Sequence, residues 1–414
     1  MSNQPHKYTF PTLFSIMLID MIGIGIIIPI LPLLFFQTDI FPATTSFATK
    51  TFMLGLLIAI YPLCQFFSAP LLGILSDRHG RKKILLLSLI GTALGYVLFA
   101  LGIIYHSLAL LIIGRIIDGL TGGNISVVMS AIADISSGTQ KTKNFGMIGV
   151  AFGLGFIIGP FLGGTLTDSS LISWFNNATP FWFAFILTLL NILFVTFFLH
   201  ETLSEKISKT LHPLQGLRNI KKAFQLKQLR ILFIIIFLMN FGWAFFTQFF
   251  QIYLYDQFHY TAVQIGHIFA YLGIWIAISQ GIVVRHLSTK FAPEKILRYS
   301  ILAVSVIIAL YLIPTNPIYL YLIIPLNALT FGFTPPNLST LTSNSVDPSS
   351  QGEIFGIQQS MLALSQAIPA LIAGFSLAFS AKLPIILASL TIFITGIIFI
   401  CCYKVPTEKI KLES

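Results

Sequence analysis

Long apolar runs recur along the whole chain and constrain its fold more than any other feature. About 20 apolar residues are needed to cross the hydrocarbon core of a bilayer, so each run predicts a transmembrane helix. Hydrophobic residues make up 56% of the chain, whereas soluble domains contain about 45–50%. The predicted fold class is therefore an all-α polytopic membrane protein. Twelve spans are expected, at residues 10–36, 51–72, 84–104, 108–135, 144–166, 178–199, 230–254, 261–284, 296–313, 317–342, 354–378 and 383–403.

The twelve spans form two groups of six on either side of a polar stretch. We expect a six-helix bundle at residues 1–200, a cytoplasmic linker at residues 201–229 and a second six-helix bundle at residues 230–414. The loops "LSDRHGRKKIL" from Leu75 and "LSTKFAPEKIL" from Leu287 each lie between the second and third span of their half. Their placement favours duplication into two pseudo-symmetric bundles, as in transporters with a midplane site; chance similarity of two basic loops is the alternative.

The distribution of Lys and Arg predicts the orientation of the chain in the membrane. Of the 24 basic residues, 21 lie on the side that carries both termini and the linker, while Lys50 and Lys382 lie on the other. The remaining one, Arg115, is inside a span. Because cytoplasmic loops carry an excess of Lys and Arg, both termini are expected in the cytoplasm. This placement between spans also argues against nucleic acid as a partner, despite the net charge of +10.

The loop "GILSDRHGRKK", residues 73–83, concentrates charge in a chain that is only 9% charged. Its glycines allow helix ends and a tight turn to approach closely. Arg81 could pair with carboxylates across the seam between the halves, and an exposed pair worth about 0–1 kcal/mol would suit a latch that must release. Plain positive-inside anchoring is the alternative, but it would not need fixed Gly and Asp positions. The gating candidates are Gly73, Asp77, Arg78, Gly80, Arg81 and Lys82, with Asp134 as the expected partner of the loop's arginines.

The fourth span contains the segment "RIIDGLTGG", from Arg115 to Gly123. Arg115 and Asp118 are three residues apart and share a helix face. A charged side chain at the centre of a membrane helix costs roughly 2.5–3.5 kcal/mol, so two on one face indicate function. We expect a proton-handling pair; a structural ion pair is the alternative.

The fifth span contains "GLGFIIGPFLGG", with Gly155, Gly159, Pro160, Gly163 and Gly164. Glycines four residues apart give a smooth face on which another helix can pack closely. Pro160 removes a backbone hydrogen bond and bends the helix. General helix packing would explain the glycines alone.

These three segments resemble, in turn, the signature loop, the arginine–glycine segment and the antiporter motif of the major facilitator superfamily. Over essentially the whole chain the resemblance is to tetracycline–proton antiporters and their neighbours among twelve-span drug–proton antiporters. It extends to "DMIGIGIIIPILPLL" from Asp20 and to "LLLSLIGTALGY" in the third span. The resemblance implies an antiporter, with a pocket acid at Asp20, Gln65 on the second span, a gate at Asp77 and Arg81, and roles for Arg115, Asp134 and Gln280.

Three positions depart from the tetracycline exporters. Gly95 stands where those proteins have an acid in the third span, Ser305 where they have one in the ninth, and Ile276 where they have a histidine. Whether tetracycline is a substrate is therefore an open question. Without those acids, proton coupling is expected to depend on Asp20 and Asp118. Because Arg115 would hold Asp118 ionised, Asp20 is the expected proton carrier, whose protonation and substrate occupancy exclude one another.

Substrate contacts are expected where amides lie among aromatic residues, as in "NFGWAFFTQFFQIYLY" of the seventh span. Such walls suit amphipathic, drug-like ligands, although most of the 39 Phe must face lipid or pack helices. The candidates are Gln65, Asn124, Asn240, Trp243, Gln248, Gln280 and Asn327. Neither metal-ligand spacing nor a catalytic motif is found, so we expect no enzyme, metal or cofactor.

The predicted function is proton-coupled efflux of small amphipathic organic molecules or drugs by alternating access. The expected location is a bacterial inner membrane, and the expected partners are the substrate, protons and the lipid bilayer, with the protein a monomer. Two alternatives stay open. One is export of an endogenous metabolite or siderophore, and the other is nutrient–proton symport, which the Gly-Pro motif disfavours.

Overall fold

The computed structural model describes residues 8–36, 38–136, 138–203, 215–226, 229–288, 290–345 and 351–404. These residues form helices and connecting turns, with no strand among them, and the all-α fold class is confirmed. The helices of the first half are α1 (Thr9–Ile26), α2 (Leu31–Phe36), α3 (Phe47–His79), α4 (Arg81–Ile104), α5 (Leu108–Thr121), α6 (Ile125–Asp134), α7 (Gly138–Thr165) and α8 (Thr179–Phe198). Those of the second half are α9 (Gln215–Gln225), α10 (Arg230–Phe258), α11 (Ala262–Ile278), α12 (Arg285–Ser288), α13 (Pro293–Leu310), α14 (Leu320–Gly332), α15 (Thr334–Asn344), α16 (Gln351–Ser376) and α17 (Leu383–Cys402).

Each of the twelve predicted spans coincides with one helix or with consecutive helical segments. Within the described ranges, nine helical stretches are long and apolar enough to cross a membrane. The other three predicted spans correspond to α7, whose apolar part is Val150–Thr165, and to α13 and α16. The helix pattern is thus consistent with twelve spans. Several spans are interrupted: a 3₁₀ turn at Gly122–Asn124 joins α5 to α6, and a π-helical segment at Ser279–Val284 follows α11.

The chain divides into two compact units. Unit 1 comprises Met1–Ser46, Ile60–Gln215 and Tyr260–Ala270, and unit 2 comprises Phe47–Ala59, Gly216–His259 and Tyr271–Ser414. In unit 1, α1 packs along α7 and α8, and α4 packs against α5 and α8. In unit 2, α10 packs against α16 and α17, and α13 against α17. Neither unit is continuous in sequence, so the predicted division into continuous bundles and a linker stays a prediction.

The glycine-rich segment of α7 packs on two sides within unit 1. One side faces α1: an added Cβ at Gly159 would lie 2.7 Å from the carbonyl oxygen of Ile22, and Gly155 and Gly163 abut α1 in the same way. The other side faces the start of α11, where an added Cβ at Gly164 would lie 2.6 Å from the carbonyl oxygen of Ala262. Small residues allow such close approach of helix backbones. The predicted smooth face is therefore present, together with a second contact that the spacing did not indicate.

The core of unit 2 is aromatic. Phe245, Phe246, Phe249 and Phe250 of α10 are buried, and Phe246 and Phe250 pack against the ring of Tyr311 after α13. These four phenylalanines therefore serve packing, while the expectation for most of the 39 stays a prediction. Within the predicted linker the structure adds α9, while residues 204–214 and 227–228 lie outside the described part.

Candidate functional site

A buried hydrogen bond joins Asp20 of α1 to Asn124. Asn124 Nδ2 donates to Asp20 Oδ2 at 2.8 Å, and both side chains are buried. Asn124 reaches this position because the chain forms a 3₁₀ turn at Gly122–Asn124. At Gly123 an added Cβ would lie 2.7 Å from the backbone of Ala69 on α3, so glycine permits this approach. Asp20 was predicted as a proton-coupling residue and Asn124 as a substrate contact, and the structure brings the two together.

The predicted pair of α5 lies next to this bond. Arg115 Nη1 is 3.5 Å from Asp118 Oδ2, and both side chains are at least nine-tenths buried. The guanidinium also lies over the rings of Tyr61 at 5.1 Å and Phe99 at 5.9 Å. Such stacking partly compensates a cation removed from water. Within the described residues Arg115 Nε has no hydrogen-bond partner, so the pair is held by charge and ring contacts.

A small cavity connects the two acids. Its size is on the scale of a single water molecule, which is too small to hold a drug-sized ligand. In the described ranges no group of three or more His, Cys, Asp or Glu side chains could hold a metal ion. The lining residues are Asp20, Ile24, Tyr61, Thr92, Tyr96, Asp118 and Gly122.

The sequence did not single out Tyr61, Thr92 or Tyr96 as site residues. Tyr61 lies on α3, and the other two lie on α4. The phenol of Tyr96 packs against Gly23 of α1, where an added Cβ would clash with it. A polar side chain in an apolar run is a signal for such residues, but it cannot show which helix face turns toward Asp20.

Gly95 of α4 is packed against the acid of the neighbouring helix. An added Cβ at Gly95 would lie 2.9 Å from Asp118 Cβ and 3.1 Å from the carbonyl oxygen of Gly114. A side chain at position 95 therefore requires α5 to shift. Asp118 is therefore the acid that lies directly beside position 95.

Arg81 is the centre of the predicted gate. Its guanidinium contacts Asp77 Oδ1 at 2.6 Å and Asp134 Oδ2 at 3.1 Å, and Nη1 also donates to Ser76 Oγ. The expected contact with Asp134 is present. Two expectations need correction, because Arg81 is buried with partners that are only partly exposed, and because these partners lie on α3 and α6 of unit 1. The reason is the turn at Gly80, whose φ of +100° brings Arg81 back against the end of α3.

Glu201, which the sequence analysis missed, braces the same turn. Its carboxylate follows α8 and accepts hydrogen bonds from the backbone N–H of Arg81 at 2.8 Å and of Lys82 at 3.3 Å. Lys82 Nζ donates to the carbonyl oxygen of Thr196 on α8 at 2.8 Å. Since the first N–H groups of a helix have no partner inside it, Glu201 acts as a distant cap for α4. Its position directly after a span, among basic loops, was the sequence signal that could have indicated this contact.

The remaining loop candidates lie around this centre. Gly73 on α3 faces Ser126 of α6, where an added Cβ would lie 3.7 Å from the hydroxyl oxygen, an ordinary contact. Arg78 is in the last turn of α3 and is partly exposed. At Gly80 an added Cβ would clash with the Glu201 carboxylate, so its position is constrained by space as well as by φ. The gating roles themselves stay predictions.

The amide candidates fall into two separate groups. In unit 1, Gln65 Nε2 donates to the carbonyl oxygen of Gly122 at 2.8 Å, directly beside the Asn124 turn. In unit 2, Asn240 Nδ2 donates to the carbonyl oxygen of Ile236 at 2.7 Å. Gln248 Nε2 donates to a carbonyl oxygen of α16 at 3.2 Å. These donors are used within the fold, so substrate contact would need their oxygen atoms or a rearrangement.

The other three candidates in unit 2 differ in how available they are. Asn327 is buried and donates to Tyr311 Oη at 3.3 Å, while its Oδ1 has no partner within the described ranges. One ring face of Trp243 is stacked on Phe331, with centroids 3.4 Å apart, so only its other face could meet a ligand. Gln280 lies in the π-helical segment after α11 and is partly exposed. Their substrate roles stay predictions.

A comparison with known protein families decides the class of the chain. The family model described as Major Facilitator Superfamily matches residues 13–370. The chain belongs to the major facilitator superfamily. Members of this superfamily are transporters and not enzymes, so the chain is a multi-pass membrane transporter with a small-molecule substrate.

Individual relatives of this superfamily member are tetracycline resistance proteins. The class H protein of Pasteurella multocida is 33% identical over 374 residues, which cover 88% of each chain. The class B protein of Escherichia coli is 31% identical over 396 residues, covering 93% of this chain and 92% of that protein. Among solved structures, the human organic anion transporter MFSD10 (TETRAN) matches with a TM-score of 0.74 and 23% identity, over 96% of this chain and 100% of that one. That last likeness concerns the fold.

Proposed function

We propose that this major facilitator is a proton-coupled antiporter that exports small amphipathic organic molecules or drugs by alternating access. The observation that supports it most is the pair of buried acids, Asp20 and Asp118, on one small cavity. Similarity to tetracycline resistance proteins over most of the chain supports the direction and the class of substrate.

The two acids differ in their neighbours, which supports different roles. Asp118 has the Arg115 cation 3.5 Å away and can stay charged as a pair. Within the described residues, Asp20 accepts from one neutral donor, the amide of Asn124. A carboxyl group with only a neutral partner can take up and release a proton without breaking an ion pair, so Asp20 is the proposed proton carrier. Its protonation and substrate occupancy would exclude one another.

The proposed setting is a bacterial inner membrane, with the protein acting as a monomer. Both termini and the linker would lie in the cytoplasm, because 21 of the 24 basic residues lie on that side of the spans. In this orientation the Arg81 cluster faces the cytoplasm, where gating contacts would open and close.

Export of an endogenous metabolite or siderophore is a second candidate. The packing of Gly95 against Asp118 favours it, because the acid of the tetracycline exporters is here replaced from another helix. A relocated acid changes the shape and polarity of the cavity and therefore the ligand it suits.

The test is transport by the purified full-length protein in liposomes with an imposed pH gradient. Tetracycline, ethidium and chloramphenicol serve as probes, and an ionophore that collapses the gradient serves as the energetic control. Accumulation that depends on the gradient supports antiport, and Asp20→Asn should abolish it while Asp39→Asn, an exposed acid in the loop after α2, should not. Accumulation that survives the ionophore contradicts the proposal. Gradient-dependent flux of a cell extract's metabolites, but of none of the three probes, selects the second candidate.

A further inference from the structure

Helix α9, in the predicted linker, has one buried face. Gly216 and Ala223 are buried, and Asn219 Nδ2 donates a 3.0 Å hydrogen bond to Ser360 Oγ on α16. Residues three and seven positions apart lie on one side of a helix, so these three form a single stripe. α9 is therefore a surface helix held against α16 within unit 2.

The opposite face of α9 presents apolar and basic side chains side by side. Leu217 and Phe224 are 47% and 48% exposed, which is unusual for large apolar residues on an otherwise polar helix. They are seven residues apart and therefore lie one above the other. Arg218 and Lys221 are exposed along the adjoining edge. An apolar edge next to a basic edge is the pattern of helices that lie in a membrane–water interface.

The docking position places α9 at a suitable depth. Ser360 is nine residues after the start of α16 and six residues inside the span predicted to begin at residue 354. At about 1.5 Å per residue, the contact lies roughly 9 Å inside that span. Interfacial helices bury their apolar face about 5–10 Å into the boundary between headgroups and acyl chains. With the span beginning at the predicted residue, Leu217 and Phe224 on the same short helix would lie near this boundary.

We propose that α9 binds the negatively charged headgroup layer of the adjacent leaflet. Leu217 and Phe224 enter the acyl boundary, while Arg218 and Lys221 pair with anionic phospholipid headgroups. Charge complementarity favours lipid as the binding partner, because basic side chains beside an apolar edge match anionic headgroups above acyl chains. The lipid would thereby hold the chain between the two groups of spans at a fixed depth.

The test is hydrogen exchange of the full-length protein in nanodiscs, read from peptides that cover residues 215–225. One set of nanodiscs contains phosphatidylcholine alone, and the other adds phosphatidylglycerol. We expect exchange in α9 to be roughly 30-fold slower with the anionic lipid, because each of two basic side chains near the surface contributes about 1 kcal/mol. The difference should shrink as salt is raised, because salt screens exposed charges.

Three double variants separate lipid binding from general charge effects. Arg218→Gln with Lys221→Gln should remove the dependence on phosphatidylglycerol, while exchange in α10 and α16 stays as before. Lys295→Gln with Arg298→Gln, an exposed pair on α13 with the same spacing, should leave it unchanged. Leu217→Ser with Phe224→Ser should speed exchange of α9 in both compositions.

Equal exchange of α9 in both nanodiscs would overturn the proposal. The same holds if the Arg218 and Lys221 variant keeps the full dependence on anionic lipid. Protection that arises only in native membranes, and not in nanodiscs of either composition, would point to a protein partner and would also reject lipid as the occupant.

Discussion

Asp20 on α1 accepts a 2.8 Å hydrogen bond from Asn124, an amide carried by the break between α5 and α6. Because both side chains are buried, water cannot replace either partner freely. The bond links the position of one helix to the charge state of an acid on another. In the proposed mechanism, protonation of Asp20 would weaken this bond, because a neutral carboxyl group is a weaker acceptor than a carboxylate.

Asn124→Ala should slow proton-coupled export by about 10- to 100-fold, since a hydrogen bond to a charged group is worth about 1.5–3 kcal/mol. Asn124→Ser keeps a shorter donor, so its rate of export should lie between those of the unsubstituted protein and Asn124→Ala. Flux in proteoliposomes under an imposed pH gradient is the measurement. Asn177→Ala, in the loop between α7 and α8, is the control. If folded Asn124→Ala protein transports as fast as the unsubstituted protein, the bond has no part in coupling.

Gly95→Asp should destabilise the protein by about 1–3 kcal/mol, the range for overpacking a close contact. The added Cβ would meet Asp118 Cβ at 2.9 Å, and α5 must move. Gly153→Ala on α7, where an added Cβ has nothing within 4 Å, is the control and should not destabilise the protein. Thermal unfolding in detergent measures both proteins. If Gly95→Asp is as stable as the unsubstituted protein, the contact with α5 does not constrain position 95.

Arg81→Ala should lower the free energy of unfolding by about 3–5 kcal/mol, because it leaves the carboxylates of a largely buried cluster without their cation. Arg81→Lys should recover little, since an ammonium group cannot contact Asp77 and Asp134 with separate nitrogens. Lys83 is at an exposed position of the same loop, so Lys83→Ala should change the free energy of unfolding by no more than about 0.5 kcal/mol. Thermal unfolding is again the measurement, and equal effects of Arg81→Ala and Lys83→Ala would refute a special role for the cluster.

Apolar run length was sufficient to predict the spans, because crossing a bilayer needs a fixed number of residues. Helical spacing was sufficient to predict the contact of Arg115 with Asp118. The position of Asp134 at the end of its predicted span, near the dense charged loop, was sufficient to predict its contact with Arg81. The hydrogen bond between Asp20 and Asn124 could not be predicted from the sequence. The two residues are 104 positions apart, and their contact depends on where α5 ends. The burial of Arg81 was missed for the same kind of reason, because it depends on the turn at Gly80.

Glu201→Ala should destabilise the protein by about 0.5–2 kcal/mol, the usual range for loss of a helix cap. Two backbone N–H groups at the start of α4 would lose their acceptor. Glu201→Gln keeps one side-chain oxygen and should lose less. Asp256→Ala, an exposed acid near the end of α10, is the control. Hydrogen exchange of the first turn of α4 measures the effect locally, and unchanged exchange in Glu201→Ala would contradict the capping role.

Gly159→Leu should prevent folding or abolish transport, because the side chain would enter the backbone of α1 at Ile22 and Gly25. Helix packing in membranes depends on such close contacts, with little hydrophobic driving force to replace them. Gly153, one and a half turns earlier on α7, has nothing within 4 Å of an added Cβ. Gly153→Ala should therefore be tolerated, and should stabilise the helix by about 0.5–1 kcal/mol. Yield and thermal stability of the two variants measure the difference, and a folded, active Gly159→Leu protein would mean that α1 and α7 are not packed in this way.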